Sequence, residues 1–140
     1  MRCLILIAML LPITAFAQIK VIEQGPRTDM VKLGAIAKSY IQDGLMHVVY
    51  RDRTYIDLGE EYEFTLDVFK NEPADLYNAI DAYLNSNNPD PILISTSCCT
   101  LEVSKAMFGA SELRVTMDGE PQEGYAVLRP KQWKKLLTRG

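Results

Sequence analysis

The chain has 140 residues, and its 18 acidic and 15 basic residues give a formal net charge of −3 with the one histidine neutral. This mild acidity argues against a general nucleic-acid binder, because such proteins neutralise phosphates with an excess of lysine and arginine. The length is sufficient for one domain that buries a hydrophobic core without depending on disulfides or metals.

The N-terminus has the composition of a secretory signal peptide. A short positive start precedes an apolar run over residues 3–15, and the tripeptide at 15–17, Ala-Phe-Ala, matches the small-x-small pattern before a cleavage site. The competing interpretation is a membrane anchor. That run falls short of the roughly 20 residues that span a bilayer, and Pro12 interrupts it. We therefore expect residues 1–17 to be a cleaved signal peptide.

Cleavage at this site leaves residues 18–140, which we expect to form a single α+β domain. No second apolar segment of the sequence is long enough for a membrane span. The expected location of the processed protein is therefore periplasmic or secreted, with no membrane span after the signal is removed.

The strongest helical signals lie at residues 72–84. Pro73 suits a first helical turn, and Glu72 and Asp75 place negative charge at the positive end of the helix dipole. Apolar residues at spacings of three and four predict one buried face, formed by Leu76, Ala79, Ile80, Tyr83 and Leu84. Strand-like runs on both sides indicate that this central amphipathic helix packs on a face of an antiparallel sheet.

Runs rich in Val, Ile, Tyr and Thr predict strands over most of the remaining chain. The most regular is 61–68, whose alternation of apolar and polar residues is typical of an antiparallel strand with one face in water. A short C-terminal helix is expected to begin at Pro130. The other expected strands, which would form a meander and hairpins, are 19–24, 45–51 with an extension at 54–57, 92–96, 100–105, 112–117 and 125–128.

Residues 30–41 fit two patterns. A helix would group their apolar residues on one side, whereas a strand would alternate them with polar residues, and Gly34 weakens both interpretations. We favour a strand, because the Asp43-Gly44 pair is a hairpin signal directly before the β-rich run that follows.

Two adjacent cysteines, Cys98 and Cys99, are the most unusual feature of the processed chain. Alternation along a strand would make one a buried small hydrophobe and the other an exposed thiol. A second interpretation is a disulfide, either between the two neighbours, which requires a strained turn, or to another copy of the chain. A catalytic or metal-binding role is the third, although a zinc site needs four suitably spaced ligands and the chain has one histidine.

The remaining titratable residues do not form a recognisable catalytic, cofactor or metal site. His47 shares a strand face with Leu45 and Val49, which favours a packed or half-buried structural histidine over a general base. A group of acidic residues lacks the spacing of a calcium loop and fits the solvated face of a strand: Glu60, Glu61, Glu63 and Asp67.

The predicted C-terminal helix carries an apolar stripe beside several lysines. Its tryptophan, Trp133, is expected to pin the helix to the sheet. An exposed tryptophan would instead mark an interaction surface together with Lys134 and Lys135, since aromatic residues are enriched at the centres of interfaces.

These patterns indicate an exported binding or interaction module with no evident catalytic machinery and no predicted cofactor or metal. Its partner would be a protein or a small molecule that the sequence does not identify. Two alternatives stay open. One is a small thiol-dependent enzyme or redox protein using Cys98 and Cys99. The other is a structural protein that self-associates, for instance as a homodimer, through exposed sheet edges.

Overall fold

The computed structural model describes residues 24–54 and 59–138. Within these ranges the chain forms nine strands, two α-helices and a short 3₁₀ turn at Met107–Gly109. The strands are β1 (Thr28–Leu33), β2 (Ala37–Gln42), β3 (Leu45–Arg51), β4 (Glu61–Asp67), β5 (Ile92–Ser95), β6 (Thr100–Lys105), β7 (Ser111–Met117), β8 (Glu120–Pro121) and β9 (Ala126–Leu128), and the helices are α1 (Glu72–Leu84) and α2 (Pro130–Leu137).

The strands divide into two antiparallel sheets. The first is a meander in the order β1-β2-β3-β4. In the second, β5, β6 and β7 are consecutive neighbours, and β8 and β9 pair with opposite ends of β7 along the same edge. The predicted α+β class, with mainly antiparallel hairpins and two helices, is confirmed. The division of the strands between two sheets is a feature that the sequence pattern did not reveal.

The segment 30–41 is a hairpin rather than one continuous element. β1 and β2 pair antiparallel, and Gly34, with a φ of +58°, lies in the turn between them. Asp43 and Gly44 form the next turn with φ values of +53° and +79°, the left-handed conformations that a two-residue hairpin requires. The preference for strand was therefore right, and Gly34 marks a reversal of the chain instead of a weak point within one strand.

The other predicted elements agree with the structure to within one residue at either end. α1 has the predicted bounds, and α2 begins at Pro130 as expected. β8 lies between the expected strands 112–117 and 125–128, where no strand was predicted. The predicted signal peptide, residues 19–23 of the first expected strand and residues 55–57 of the expected extension lie outside the described residues. The described residues of those two segments, Gln24 and Thr54, are not in strands.

Helix α2 connects the two sheets. The indole Nε1 of Trp133 donates a hydrogen bond to Ser111 Oγ of β7 at 2.7 Å, and Ser39 Oγ of β2 donates to the carbonyl oxygen of Leu136 at 2.8 Å. All four residues are buried. Because the burial of polar groups is favourable only when they are hydrogen-bonded, these two contacts fix where α2 sits on each sheet.

Helix α1 packs mainly against α2 and β4 instead of crossing the middle of a sheet. Its buried face contains Leu76, Ile80 and Tyr83, three members of the predicted stripe. These side chains belong to the same hydrophobic cluster as residues from both sheets, so both helices and both sheets share one core. Neither helix of the described chain has the length and apolar character needed to cross a membrane.

Candidate functional site

The adjacent cysteines lie at the tip of the β5–β6 hairpin, in a turn formed by residues 96–99 that we call the disulfide turn. The structure joins Cys98 Sγ and Cys99 Sγ in a disulfide bond. Cys98 is partly buried, whereas Cys99 is only 8% exposed. His47 lies in β3 of the other sheet. The structure therefore does not bring the cysteines together with the histidine in one sheet.

Hydrogen bonds hold the disulfide turn from two sides. Inside the turn, the Thr96 N–H donates to the Cys99 carbonyl at 2.9 Å, and the Cys99 N–H donates to Thr96 Oγ1 at 3.3 Å. From outside, Glu72 Oε2 accepts bonds from the N–H and the hydroxyl of Ser97, both at 2.8 Å. Glu72 Oε1 accepts the Asp67 N–H at 2.7 Å. One carboxylate thus ties the end of β4 and the disulfide turn to the start of α1.

These contacts change the acidity of Glu72. Desolvation by itself raises the pKa of the Glu72 carboxyl, but the hydrogen bonds from Asp67 and Ser97 and the charge of Lys70 lower it, and the net pKa lies below its ordinary value of 4.5. Hydrogen bonds donated to a carboxylate favour its charged form. Glu72 is therefore ionised at neutral pH. We call its two hydrogen bonds from Ser97 the clamp on the disulfide turn.

The structure separates the three residues of the predicted interaction surface. Trp133 is fully buried, so its ring cannot take part in a surface, and its hydrogen bond to Ser111 gives it the alternative role of pinning α2 to the sheet. Lys134 and Lys135 are exposed in the last turn of α2. Cations in that position interact favourably with the helix dipole, which is a structural reason for both lysines to lie there.

His47 and the acidic residues of β4 form cross-strand contacts on one face of the first sheet. His47 Nδ1 contacts Glu63 Oε1, and its ring stacks on Tyr40 with 4.8 Å between ring centroids. Arg51 and Glu61 form an ion pair at 3.6 Å. Among the described residues, no three His, Cys, Asp or Glu side chains converge to hold a metal ion.

Tyr50 and Tyr62 stack on the opposite face of this sheet, with 5.7 Å between their ring centroids. Burial raises the pKa of Tyr50 well above its ordinary value, and its hydroxyl donates to Gln122 Oε1 at 2.5 Å. Desolvation and a hydrogen bond to Glu60 also raise the pKa of Tyr62. Both phenols stay neutral at physiological pH, so neither is suited to act as a base, and Tyr50 instead links the first sheet to the segment after β8.

A cleft of about 740 Å³ opens beside the connection between β6 and β7. Its volume lies within the range of typical ligand pockets. The connection consists of residues 106–110, which we call the Phe108 loop, and it is closed by a hydrogen bond from the Ala106 N–H to the Ala110 carbonyl at 2.8 Å. The apolar side chains that line the cleft are Ile36, Ala106, Met107, Phe108, Ala110, Tyr125 and Val127.

Two large apolar side chains of the Phe108 loop point into solvent. Met107 is 76% exposed and Phe108 is 90% exposed. Phe108 also has left-handed backbone angles, φ 57° and ψ 36°. An L-residue in this conformation costs about 1–2 kcal/mol. The fold therefore exposes an aromatic ring to water at the wall of a cleft, and the backbone conformation of that residue is itself unfavourable.

The charged lining of the cleft is mainly cationic. Arg53, Lys105 and Arg129 line it together with one carboxylate, Glu112. That carboxylate already forms an ion pair with Arg114 at 3.4 Å. The cleft is thus a locally positive region in a chain whose net charge is −3.

The three cations differ in the contacts that their side chains already make within the protein. Lys105 Nζ donates to the Ser86 carbonyl at 2.5 Å, close to the end of α1, and lies 5.1 Å from the Tyr83 ring. Arg53 and Arg129 are exposed, and no ion pair among the described residues involves either one. These two guanidinium groups are therefore the cations that the cleft offers to a ligand.

Sequence reasoning missed this cleft. The cationic lining of the cleft comes from distant parts of the chain that only the tertiary fold assembles. One local signal was present. A Met-Phe pair directly before a glycine occupies a hairpin connection, where small and polar residues are the usual choice.

Comparison of the chain with family models, with curated proteins and with solved structures found no match. The assignment of a function therefore depends on the residues and geometry described above.

Proposed function

We propose that the protein is an exported binding module that holds an acidic segment of a partner protein in the cleft, with an apolar side chain of that segment against Phe108. The observation that carries this proposal is Phe108 itself, 90% exposed and in a left-handed conformation on the wall of a cleft of about 740 Å³. Strained backbone of this kind clusters at ligand clamps and switch regions. Export is the part of the proposal that rests on the sequence of residues 1–17.

The apolar part of the partner follows from the lining of the cleft. Phe108 and Met107 line the cleft, and two further apolar residues, Ile36 and Val127, line it as well. Burial of apolar surface contributes roughly 25 cal/mol per Å². An aromatic or leucine side chain that enters the cleft would remove both its own surface and that of Phe108 from water.

The acidic part of the partner follows from charge complementarity. Arg53 and Arg129 present guanidinium groups that bind carboxylates with two parallel hydrogen bonds. Glu112 opposes them only weakly, because Arg114 neutralises it. A segment with aspartate or glutamate beside its apolar residue therefore fits the cleft better than a neutral or basic segment.

The polar groups of the cleft are arranged to hold a ligand rather than to transform it. Ser104 Oγ donates to Glu112 Oε2 at a long 3.5 Å, and the same carboxylate oxygen contacts Arg114. A serine becomes a useful nucleophile only when an adjacent base can accept its proton. A carboxylate that an arginine already neutralises is a poor base for that purpose.

Selection from a random-peptide phage library on the processed protein tests this function. We expect enriched peptides to combine acidic residues with Phe, Trp or Leu. The binding of a selected peptide, measured by calorimetry, should weaken about tenfold or more in Phe108→Ala, as expected for an interface hot spot. It should also weaken at high salt, because exposed charge pairs are screened.

Two matched variants show whether the cleft itself is responsible. Leu93 is 70% exposed in β5 and does not line the cleft, so Leu93→Ala should leave the affinity unchanged. Lys131 is exposed on α2 outside the cleft, so Arg129→Gln should weaken binding and Lys131→Gln should not. Peptides without acidic residues, or equal losses in each pair of variants, would overturn the proposal. A dimer in sedimentation that Phe108→Ala dissociates would identify the occupant as a second copy instead.

A further inference from the structure

The disulfide between Cys98 and Cys99 has no value as a staple of the fold. A disulfide stabilises a protein mainly by closing a loop in the unfolded chain, and the stabilisation grows with the number of residues enclosed. Cys98 and Cys99 are neighbours in the sequence, so their bond encloses no further residue. This cross-link hardly reduces the conformational freedom of the unfolded chain. Its presence is therefore better explained by its chemistry than by stabilisation.

The disulfide turn is also held without the sulfur–sulfur bond. The Thr96 N–H bonds the Cys99 carbonyl at 2.9 Å, and both donors of Ser97 bond Glu72 Oε2 at 2.8 Å. These contacts do not involve the sulfur atoms. The turn can therefore keep its shape when the disulfide is opened, and the two sulfurs then remain close enough to bond again.

The two cysteines differ in burial. Cys98 is partly buried at the tip of the hairpin, whereas Cys99 is 8% exposed and belongs to the hydrophobic core cluster. Thiol–disulfide exchange requires an attacking thiolate to approach one sulfur while the other leaves, and access decides which sulfur is attacked. The geometry therefore distinguishes an entry atom, Cys98 Sγ, from a leaving atom, Cys99 Sγ.

We propose that the Cys98–Cys99 disulfide is a thiol-exchange site that an external dithiol reduces reversibly by attack at Cys98. The dithiol's first thiolate forms a bond to Cys98 Sγ, the Cys98–Cys99 bond breaks, and its electron pair goes to Cys99 Sγ, which takes up a proton. The second thiolate of the dithiol then attacks the dithiol's own bonded sulfur and releases Cys98, which is protonated in turn. The protein gains two electrons and two protons, and the dithiol becomes a cyclic disulfide.

Thr96 is a positioning residue for this exchange. Its Oγ1 lies 3.5 Å from Cys99 Sγ and 3.7 Å from Cys98 Sγ. A hydroxyl that donates a hydrogen bond to the departing Cys99 thiolate stabilises it, and a better leaving thiolate speeds exchange. Thr96 Oγ1 also accepts the Cys99 N–H, so the hydroxyl is held next to the leaving atom. With the disulfide closed it donates to the Cys99 carbonyl at 3.1 Å, and it turns to Cys99 Sγ when the disulfide opens.

Trapping of the mixed disulfide tests the direction of attack. The processed protein is incubated with excess glutathione, quenched in acid, alkylated and mapped by peptide mass spectrometry. We expect glutathione predominantly on Cys98 and the alkyl group on Cys99. Equal labelling of the two, or glutathione mainly on Cys99, would overturn the proposed direction. Two free thiols in protein purified from the periplasm without reductant would overturn the site itself.

Rates of reduction by dithiothreitol separate exchange from a merely structural role. Thr96→Val should slow reduction several-fold at neutral pH, and Thr96→Ser should restore it, because only the hydroxyl is required. Glu72→Gln should change the rate of reduction little but slow re-formation of the disulfide, since the clamp on Ser97 is weakened. A disulfide that resists millimolar dithiothreitol in the folded protein, or equal rates in Thr96→Val and the unchanged protein, would contradict the proposal.

Discussion

Strand β6 begins after one turn and ends in another, and the two differ in whether the rest of the protein helps to hold them. The disulfide turn is held both from within and from outside: Thr96 bonds both polar backbone groups of Cys99, and Glu72 accepts two hydrogen bonds from Ser97. The Phe108 loop is closed by its own backbone, and Phe108 extends into solvent from a left-handed conformation. The difference shows where the chain keeps a conformation for its own stability and where it holds one for contact with something else.

This contrast has an energetic side. Hydrogen bonds to a charged carboxylate contribute about 1.5–3 kcal/mol each, so the clamp on the disulfide turn adds to stability. The conformation of Phe108 costs about 1–2 kcal/mol. Proteins tolerate such costs mainly where function requires them, so stability and binding are expected to trade off at the Phe108 loop and not at the disulfide turn.

The largest expected effect on stability comes from removing Trp133, which anchors α2 to the second sheet. Trp133→Ala deletes a fully buried indole and its hydrogen bond to Ser111, and should lower the free energy of unfolding by about 3–5 kcal/mol. Trp133→Phe keeps most of the volume and should cost less. Urea unfolding measures both. A loss below about 1 kcal/mol for Trp133→Ala would show that α2 does not anchor the sheets.

The next effect separates the two turns. Glu72→Gln removes the charge that accepts bonds from Asp67 and Ser97, and should cost about 1–2 kcal/mol. Asp75→Asn is the matched control, because Asp75 also lies in the first turn of α1 but is exposed and has no such contact. Thermal unfolding of the two variants should show a clear loss only for Glu72→Gln. Equal losses would assign the effect to the helix dipole instead of the clamp.

The stability that Glu72 contributes through these hydrogen bonds should also depend on pH. The pKa of Glu72 in the folded protein lies below its ordinary value of 4.5, so the unfolded chain binds the proton more tightly. The stability that Glu72 contributes is therefore fully present above pH 4.5 and is lost as the pH falls through the lower, folded pKa. The difference in stability between the unchanged protein and Glu72→Gln should shrink across that acidic interval, and a constant difference would contradict the assignment.

The regular elements were predictable because their signals are local. The stripe of α1, Pro130 at the start of α2 and the Asp43-Gly44 turn each depend on residues close together in sequence. Gly34 was misjudged because one glycine is compatible with a weak strand and with a turn, and only the pairing of β1 with β2 decides between them. Local signals thus gave the elements and most of their ends.

The sites were less predictable because they depend on distant parts of the chain. Arg53 and Arg129 meet at one cleft only after both sheets have formed. The hydrogen bond from Ser97 to Glu72 joins residues 25 positions apart. The exposure of Phe108 was equally hidden, since burial of a large apolar residue is the ordinary expectation from sequence.

A smaller effect, of opposite sign, is expected at the Phe108 loop. Phe108→Asn should raise the free energy of unfolding by about 1 kcal/mol, because asparagine adopts the left-handed conformation at lower cost. Phe108→Ala should change it little, since alanine keeps the backbone penalty and the ring makes few contacts to lose. Chemical unfolding checks both variants. Under the proposed function the more stable Asn variant should also be the one that no longer binds acidic peptides, and a destabilised Asn variant would show that the ring supports the fold.

The smallest effect on stability is expected from removing the disulfide, although the loss of a cross-link usually has a large effect. Replacing both cysteines of the disulfide turn, in Cys98→Ser with Cys99→Ser, should change the free energy of unfolding by less than about 1 kcal/mol, because a bond between neighbours closes no loop. The serines retain the small size of the side chains, and the bonds of Ser97 to Glu72 remain to hold the turn. Unfolding in urea, with the unchanged protein measured with and without reductant, gives two independent comparisons. A loss of several kcal/mol in both would make the disulfide turn a structural staple and remove the contrast between the two ends of β6. A small change in both would leave the disulfide as a group kept for its chemistry.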